Sequence, residues 1–272
     1  MSHFSFNRLM GIYLPPEKEY SDKSVIHLKT TENQSVCVRT FEPFSAQNDN
    51  YNSVVLFSHG NADNIATCAS YCQWLSDELQ VPLVCYDYIG YGLSGPGNCS
   101  EDNMHKSILC VHDWIQNHKK YKNIFVLGKS LGSVPSVWLA SRKSNIAGLI
   151  LVSPIASGAR VLINAQYIPK TIRSGCDSIM FDNIANIEKV RTETLFIHGT
   201  QDSIVPKRNT EDLMRHMSSE CNAEHMFVRA GHNDIEIKHT DYFLNTLSAF
   251  LHRCTCLPEQ QNQSNVYMTE TN

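Results

Sequence analysis

The chain has 272 residues, 42% of them hydrophobic and 18% charged, with a formal net charge of −4. That balance excludes a charge-rich disordered chain, and the lack of a long basic run removes support for a nucleic-acid partner. Ten cysteines lie scattered without a CxxC pair, which is too sparse for a disulfide-built scaffold and lacks the spacing of a zinc ribbon.

No run of about 18 apolar residues is present to span a membrane. Residues Met1 to Arg8 lack the apolar core of a secretory leader. The expected setting is therefore reduced, and cytoplasmic or on the cytosolic face of membranes.

In chain order, residues 1–22 read as an N-terminal extension and residues 23–254 as one domain. Val25 to Lys29 and Val36 to Thr40 are an opening strand pair, followed by a loop from Phe41 to Asn52. Val54 to Ser58 is a buried strand, apolar and β-branched without alternation. Apolar residues at Ile65, Cys68, Ala69, Cys72, Leu75 and Leu79 predict a helix over Asn64 to Gln80 with one buried face, which Cys68 and Cys72 share. Val81 to Tyr88 is the next strand and Ile89 to Cys99 a Gly-rich loop. Ser100 can cap a helix running to about Lys119. Ile124 to Gly128 is a strand, Ser130 to Arg142 a helix and Gly148 to Ser153 a strand. Residues 154–181 are long for a plain connection and read as a lid-like insertion. Thr194 to His198, Pro206 to Met217, His225 to Val228 and Asp234 to His252 continue the alternation. Residues 255–272 read as a polar tail. Repeated strand-then-helix units predict an α/β fold, a mainly parallel sheet with helices on both faces. Such sheets place their sites at the carboxyl ends of the strands.

Gly128-Lys129-Ser130-Leu131-Gly132 fits G-x-S-x-G and falls between a buried strand and a helix, where a nucleophile elbow belongs. A serine hydroxyl needs a base to take its proton. His232, in Gly231-His232-Asn233-Asp234, follows the last predicted strand. Asp202 follows the strand at Thr194 to His198. The order Ser130, Asp202, His232 and three equivalent strand-end positions point to an acyl-transfer site. An oxyanion hole needs two backbone N–H groups. Leu131, after the serine, is one expected donor, and Asn61 in the loop Ser58 to Asn64 is the other. His59 and Asp87 are read as residues that brace loops, and Arg160 as half of a structural ion pair. Ile155, Val161 and Tyr167 in the insertion are candidates to line an acyl groove. This chemistry calls for no metal and no cofactor.

These motifs resemble the α/β-hydrolase superfamily, and within it the α/β-hydrolase domain-containing protein 17 family. The resemblance rests on Phe57-Ser58-His59-Gly60-Asn61-Ala62, Tyr86-Asp87-Tyr88-Ile89-Gly90-Tyr91-Gly92, the elbow with Val134-Pro135, Ser153-Pro154-Ile155-Ala156-Ser157-Gly158, Ile197-His198-Gly199-Thr200 and Gly231-His232-Asn233-Asp234-Ile235-Glu236. It implies the α/β-hydrolase fold and a serine hydrolase that removes palmitoyl groups from protein cysteine thioesters at cytosolic membrane faces. Ser130, Asp202 and His232 match the family's triad positions. The implied partners are S-acylated proteins or other acyl esters, with peripheral membrane contact. That family usually carries an N-terminal cysteine cluster, whereas the first cysteine here is Cys37. The other readings are a general carboxylesterase or lipid hydrolase, and a non-catalytic binding module on the same fold.

Overall fold

The structure is a computed structural model and describes residues 13–16, 22–44, 51–117, 121–162, 180–219 and 222–256. Eight strands form one sheet in the order β1-β2-β4-β3-β5-β6-β7-β8. They are β1 (Ile26–Lys29), β2 (Ser35–Phe41), β3 (Ser53–Ser58), β4 (Leu83–Tyr86), β5 (Asn123–Lys129), β6 (Gly148–Val152), β7 (Thr194–Gly199) and β8 (Ala223–Val228). β1 and β2 pair antiparallel at one edge, and β2 pairs antiparallel with β4. From β4 to β8 every neighbouring pair is parallel. β5, which ends at the G-x-S-x-G motif, lies between β3 and β6. The G-x-S-x-G motif therefore sits mid-sheet, at the end of a strand buried along nearly its whole length.

The helices are α1 (Ala69–Leu79), α2 (Glu101–Asn117), α3 (Ser133–Ala140), α4 (Gly158–Leu162), α5 (Asn183–Ile187), α6 (Arg208–His216), α7 (Ile235–Lys238) and α8 (Thr240–Cys256). Alternate strand residues divide the core in two. Leu56 and Val126 pack with Ile108, Val137 and Leu213 from α2, α3 and α6 on one face. Phe57, Phe125 and Leu127 pack with Leu75, Leu247 and Phe250 from α1 and α8 on the other. Covering both faces is what makes these strands continuous apolar runs rather than alternating ones. Each such side chain, taken fully out of water, contributes about 1.5–3 kcal/mol.

Several boundaries differ from the sequence expectation, each for a local reason. The helix expected from Asn64 begins at Ala69. Asn64 and Thr67 close a separate turn by exchanging side-chain and backbone hydrogen bonds, Asn64 N to Thr67 Oγ1 at 2.8 Å and Thr67 N to Asn64 Oδ1 at 2.9 Å. The single helix expected over Asp234 to His252 is two, because His239 leaves helical geometry at φ −134°. The strand expected over Val81 to Tyr88 shortens to Leu83–Tyr86. Most of the expected lid (163–179), the expected groove residue Tyr167, and nearly all of the two expected end segments lie outside the described residues.

On α2, His105 stacks on Trp138 of α3 with ring centroids 4.4 Å apart and an 8° interplanar angle. Burial first, and the nearby Arg142 charge second, push its pKa down to about 3. Protonation then favours the unfolded chain, whose histidine keeps its ordinary value near 6.5. The fold should lose stability as pH falls from about 6.5 toward 3, by up to about 1.4 kcal/mol per unit. His105→Phe keeps the stacking and removes the titration. Urea unfolding at pH 7 and pH 5 should show the wild type losing roughly 1–2 kcal/mol more than the variant, and equal losses would contradict this account.

Candidate active site

β5 runs straight into a tight turn, Ser130–Gly132, before α3 begins. Ser130 takes φ +53°, a left-handed conformation that a residue bearing a Cβ adopts only when its surroundings impose it. Ser133 Oγ donates to Ser130 O at 2.7 Å and helps close the turn. Gly132 permits the turn to pass under the end of β3. A Cβ there would lie 2.0 Å from Ser58 O, so the elbow and the loop after β3 touch backbone to backbone.

The structure brings the three chemistry-bearing residues together from β5, β7 and β8. His232 Nε2 is 3.0 Å from Ser130 Oγ, and His232 Nδ1 is 2.6 Å from Asp202 Oδ2. Nδ1 faces a carboxylate and must carry the ring proton, which leaves Nε2 to accept from the serine hydroxyl. Asp202 is almost fully buried. Its Oδ1 accepts from the backbone N–H groups of Ile204 at 2.9 Å and Val205 at 2.8 Å. Its Oδ2 also lies 3.3 Å from Nε2 of the buried His198. That ring is held by Val205 O at 2.8 Å and Thr210 Oγ1 at 2.7 Å. Burial opposes ionisation of Asp202, but the hydrogen bonds from His198 and His232 outweigh it and hold the carboxyl well below the usual range. The carboxylate is thus a fixed charge beside His232. His198 as its second side-chain neighbour is not readable from local pattern, since it sits inside an apolar strand.

The loop after β3 is braced by the groups read for that role. His59 Nδ1 lies 2.8 Å from Gly60 O, its Nε2 is 3.8 Å from Asp87 Oδ1, and its ring packs on Tyr88. Asp87 accepts from Ile65 N at 2.8 Å and Leu93 N at 3.2 Å, joining the loops after β3 and β4. A Cβ on Gly92, at φ +46°, would strike the Asp87 carboxylate. Asn61 Oδ1 accepts from Tyr91 Oη at 2.7 Å and from Leu14 N at 2.9 Å, which ties a segment of the expected N-terminal extension to the site.

Asn61, Ser130 and Leu131 line one pocket of about 150 Å³. Its remaining wall is apolar and comes from Ile155, Val161, Met180, Phe181, Ile204 and Val205, with Gly158. Two of the three expected groove residues are therefore in the wall. Met180, Phe181, Ile204 and Val205 were not singled out by the sequence, because apolar residues carry no chemical signature outside the fold. Arg160 pairs with Asp212 of α6, as read from sequence. Among the described residues, the group able to hold a metal is Cys68, Cys72 and Cys85, with ligand atoms within 4.8 Å of one another. These thiols are buried between α1 and the sheet among Phe57 and Leu75. The shared Cys68–Cys72 face agrees with the helical spacing.

This fold and this strand-end constellation define a class, and the chain belongs to the α/β-hydrolase superfamily. A family model described as serine aminopeptidase, S33, matches residues 49–179. Curated relatives are similar over a longer stretch. The α/β-hydrolase domain-containing protein 17B of Homo sapiens is 35% identical over 188 residues, which is 67% of this chain and 61% of that protein. The α/β-hydrolase domain-containing protein aho-3 of Caenorhabditis elegans is 34% identical over 205 residues, 74% of this chain and 58% of its own length. The chain thus spans about three fifths of the relatives it matches. Among solved structures, an esterase of Pyrococcus furiosus superposes with a TM-score of 0.71 at 16% identity, covering 89% of this chain and 98% of that one. Est1E of Butyrivibrio proteoclasticus, with ferulic acid bound, gives a TM-score of 0.66 at 16% identity, covering 85% of this chain and all of its own. At these identities the structural likeness speaks to the fold.

The contact at Gly132 yields a stability test. Gly132→Ala should cost about 1–3 kcal/mol through forced displacement of packed backbone. Gly231→Ala, whose nearest added contact is 3.4 Å from an Asp234 side-chain oxygen, should cost clearly less. Chemical denaturation of the two variants checks the order, and equal losses would refute the role of the close approach.

Proposed function

We propose that the chain is a serine hydrolase that cleaves S-acyl thioesters on protein cysteines, with palmitoylated proteins as the substrate class, at the cytosolic face of membranes. The observation that carries the catalytic part is the hydrogen-bonded chain Ser130–His232–Asp202, opening into an apolar pocket. The substrate part rests on the likeness to the domain-containing protein 17 relatives. No helix among the described residues is long and apolar enough to cross a membrane, and the reading takes contact with acylated membrane proteins to be peripheral.

In the first half-reaction Ser130 Oγ attacks the acyl carbonyl carbon while His232 Nε2 takes the hydroxyl proton. Backbone N–H groups of Leu131 and Asn61 receive the developing oxyanion. The carbon–sulfur bond breaks, and His232 gives its proton to the departing thiolate. In the second half-reaction His232 takes a proton from water, the resulting hydroxide attacks the acyl-Ser130 ester, and the proton returns to Ser130. Asp202 holds the His232 tautomer and offsets the imidazolium charge in both halves. Met180, Phe181, Ile155 and Val161 pack against the acyl chain at the carbonyl end.

Acyl release from matched palmitoyl peptides, one S-linked on Cys and one O-linked on Ser, tests the substrate. The thioester should be released much faster. Equal or faster release of the O-ester would make the protein a general esterase. Ser130→Ala should abolish turnover and fluorophosphonate labelling without unfolding the chain, and labelling that persists in this variant would refute the nucleophile. Asp202→Asn should lower kcat by about 10³–10⁴-fold, the scale set by loss of the correct imidazole tautomer. Near-wild-type turnover in that variant would sink its assignment.

A further inference from the structure

Directly before the nucleophile, Lys129 ends β5 with extended backbone, φ −104° and ψ 126°. Its Nζ is 2.8 Å from Oε1 of Glu236 on α7, four residues after His232. The pair is largely withdrawn from water, with side chains 17% and 8% exposed. The Lys129 ammonium also faces the ring of Tyr71 on α1, 5.3 Å from its centroid. Burial, together with the Glu236 charge beside it, pushes the Tyr71 phenol well above its ordinary value. β5, α7 and α1 therefore meet at one ion pair. The His232 loop is closed separately, by Gly231 N donating to Asp234 Oδ1 at 2.6 Å. This makes the loop and α7 one short unit. Lys129–Glu236 ties that unit back to the end of β5.

We propose that Lys129 and Glu236 are positioning residues: their buried ion pair sets the distance between the Ser130 elbow and the His232 loop. The inference rests on the serine-hydrolase reading and goes beyond it, since the partners of Lys129 are Glu236 and Tyr71 rather than any reacting group. A pair that holds two catalytic groups in register acts on the rate of chemistry and leaves ground-state binding alone, because small displacements at the nucleophile–base contact cost rate steeply. An exposed pair would have little such leverage, but removing one partner of a buried pair leaves the other charge uncompensated.

The variants are Glu236→Gln, which keeps shape and a hydrogen-bond acceptor, Lys129→Met, and the double variant. With an activated acyl ester, each single change should lower kcat about tenfold at unchanged KM. The fluorophosphonate labelling rate should fall by a similar factor. The double variant should be no slower than the slower single one, since both changes remove the same interaction. A readout independent of turnover is the low-field proton resonance of the His232–Asp202 hydrogen bond. It should shift in Glu236→Gln and disappear in Asp202→Asn. Unchanged kcat with an unmoved resonance in Glu236→Gln would overturn the proposal. So would losses that add across the double variant, or that follow melting temperature with a parallel rise in KM. If the wild type is neither labelled nor active, the serine-hydrolase reading itself fails, while the resonance still decides whether the pair positions His232.

Discussion

Everything at the site depends on one backbone constraint, the left-handed turn at Ser130. A non-glycine residue in that conformation costs on the order of 1–3 kcal/mol and persists only where its surroundings over-determine it. Here β5 is hydrogen-bonded on both sides, by β3 and β6. α3 leaves at once into the core through Val134 and Val137. Gly132 lies against Ser58 with no room for a side chain. The sheet thereby lifts one hydroxyl out of an otherwise buried strand end. The neighbouring loops then have fixed points from which to reach it.

Those loops use the same device twice. A buried aspartate accepts backbone N–H groups from its own or a neighbouring loop, and a buried histidine stands beside it. In the first case Asp87 joins the loops after β3 and β4 beside His59. In the second, Asp202 gathers the turn after β7 beside His198. What separates them is a second imidazole. Asp202 also meets His232, whose other ring nitrogen reaches Ser130 Oγ, so its charge is directed at the serine. Asp87, through Ile65 N and Leu93 N, braces two loops. Chemically similar aspartates thus take different roles according to what stands on their open side.

The opening strand pair, the parallel core strands and the three strand-end residues were legible because each is written in a short window. Apolar runs without alternation mark doubly covered strands, and G-x-S-x-G between a strand and a helix marks an elbow. The errors were local as well. The helix expected from Asn64 starts later because Asn64 and Thr67 satisfy each other in a turn that periodicity cannot register. The final helix breaks at His239, where no glycine or proline signals it. Of the pocket wall, Ile155 and Val161 were found because they lie in a segment already suspect for its length. Ile204 and Val205 were missed because they look like any apolar pair in a turn.

The sequence by itself determined the order of elements, the α/β class and the identity of Ser130, Asp202 and His232 as a set. All of these follow from hydrophobic period and from chemistry placed at strand ends. Only the tertiary structure decided the strand order, the closeness of the elbow to the loop after β3, the pairing of His198 with Asp202 and the pairing of Lys129 with Glu236. Most of these contacts join segments far apart in the chain, and His198 and Asp202, four residues apart, meet only through the fold of the turn after β7. Because packing withdraws both charges of the Lys129–Glu236 pair from water together, losing either partner would leave the other uncompensated, and that withdrawal is a property of the assembled core rather than of any window of residues.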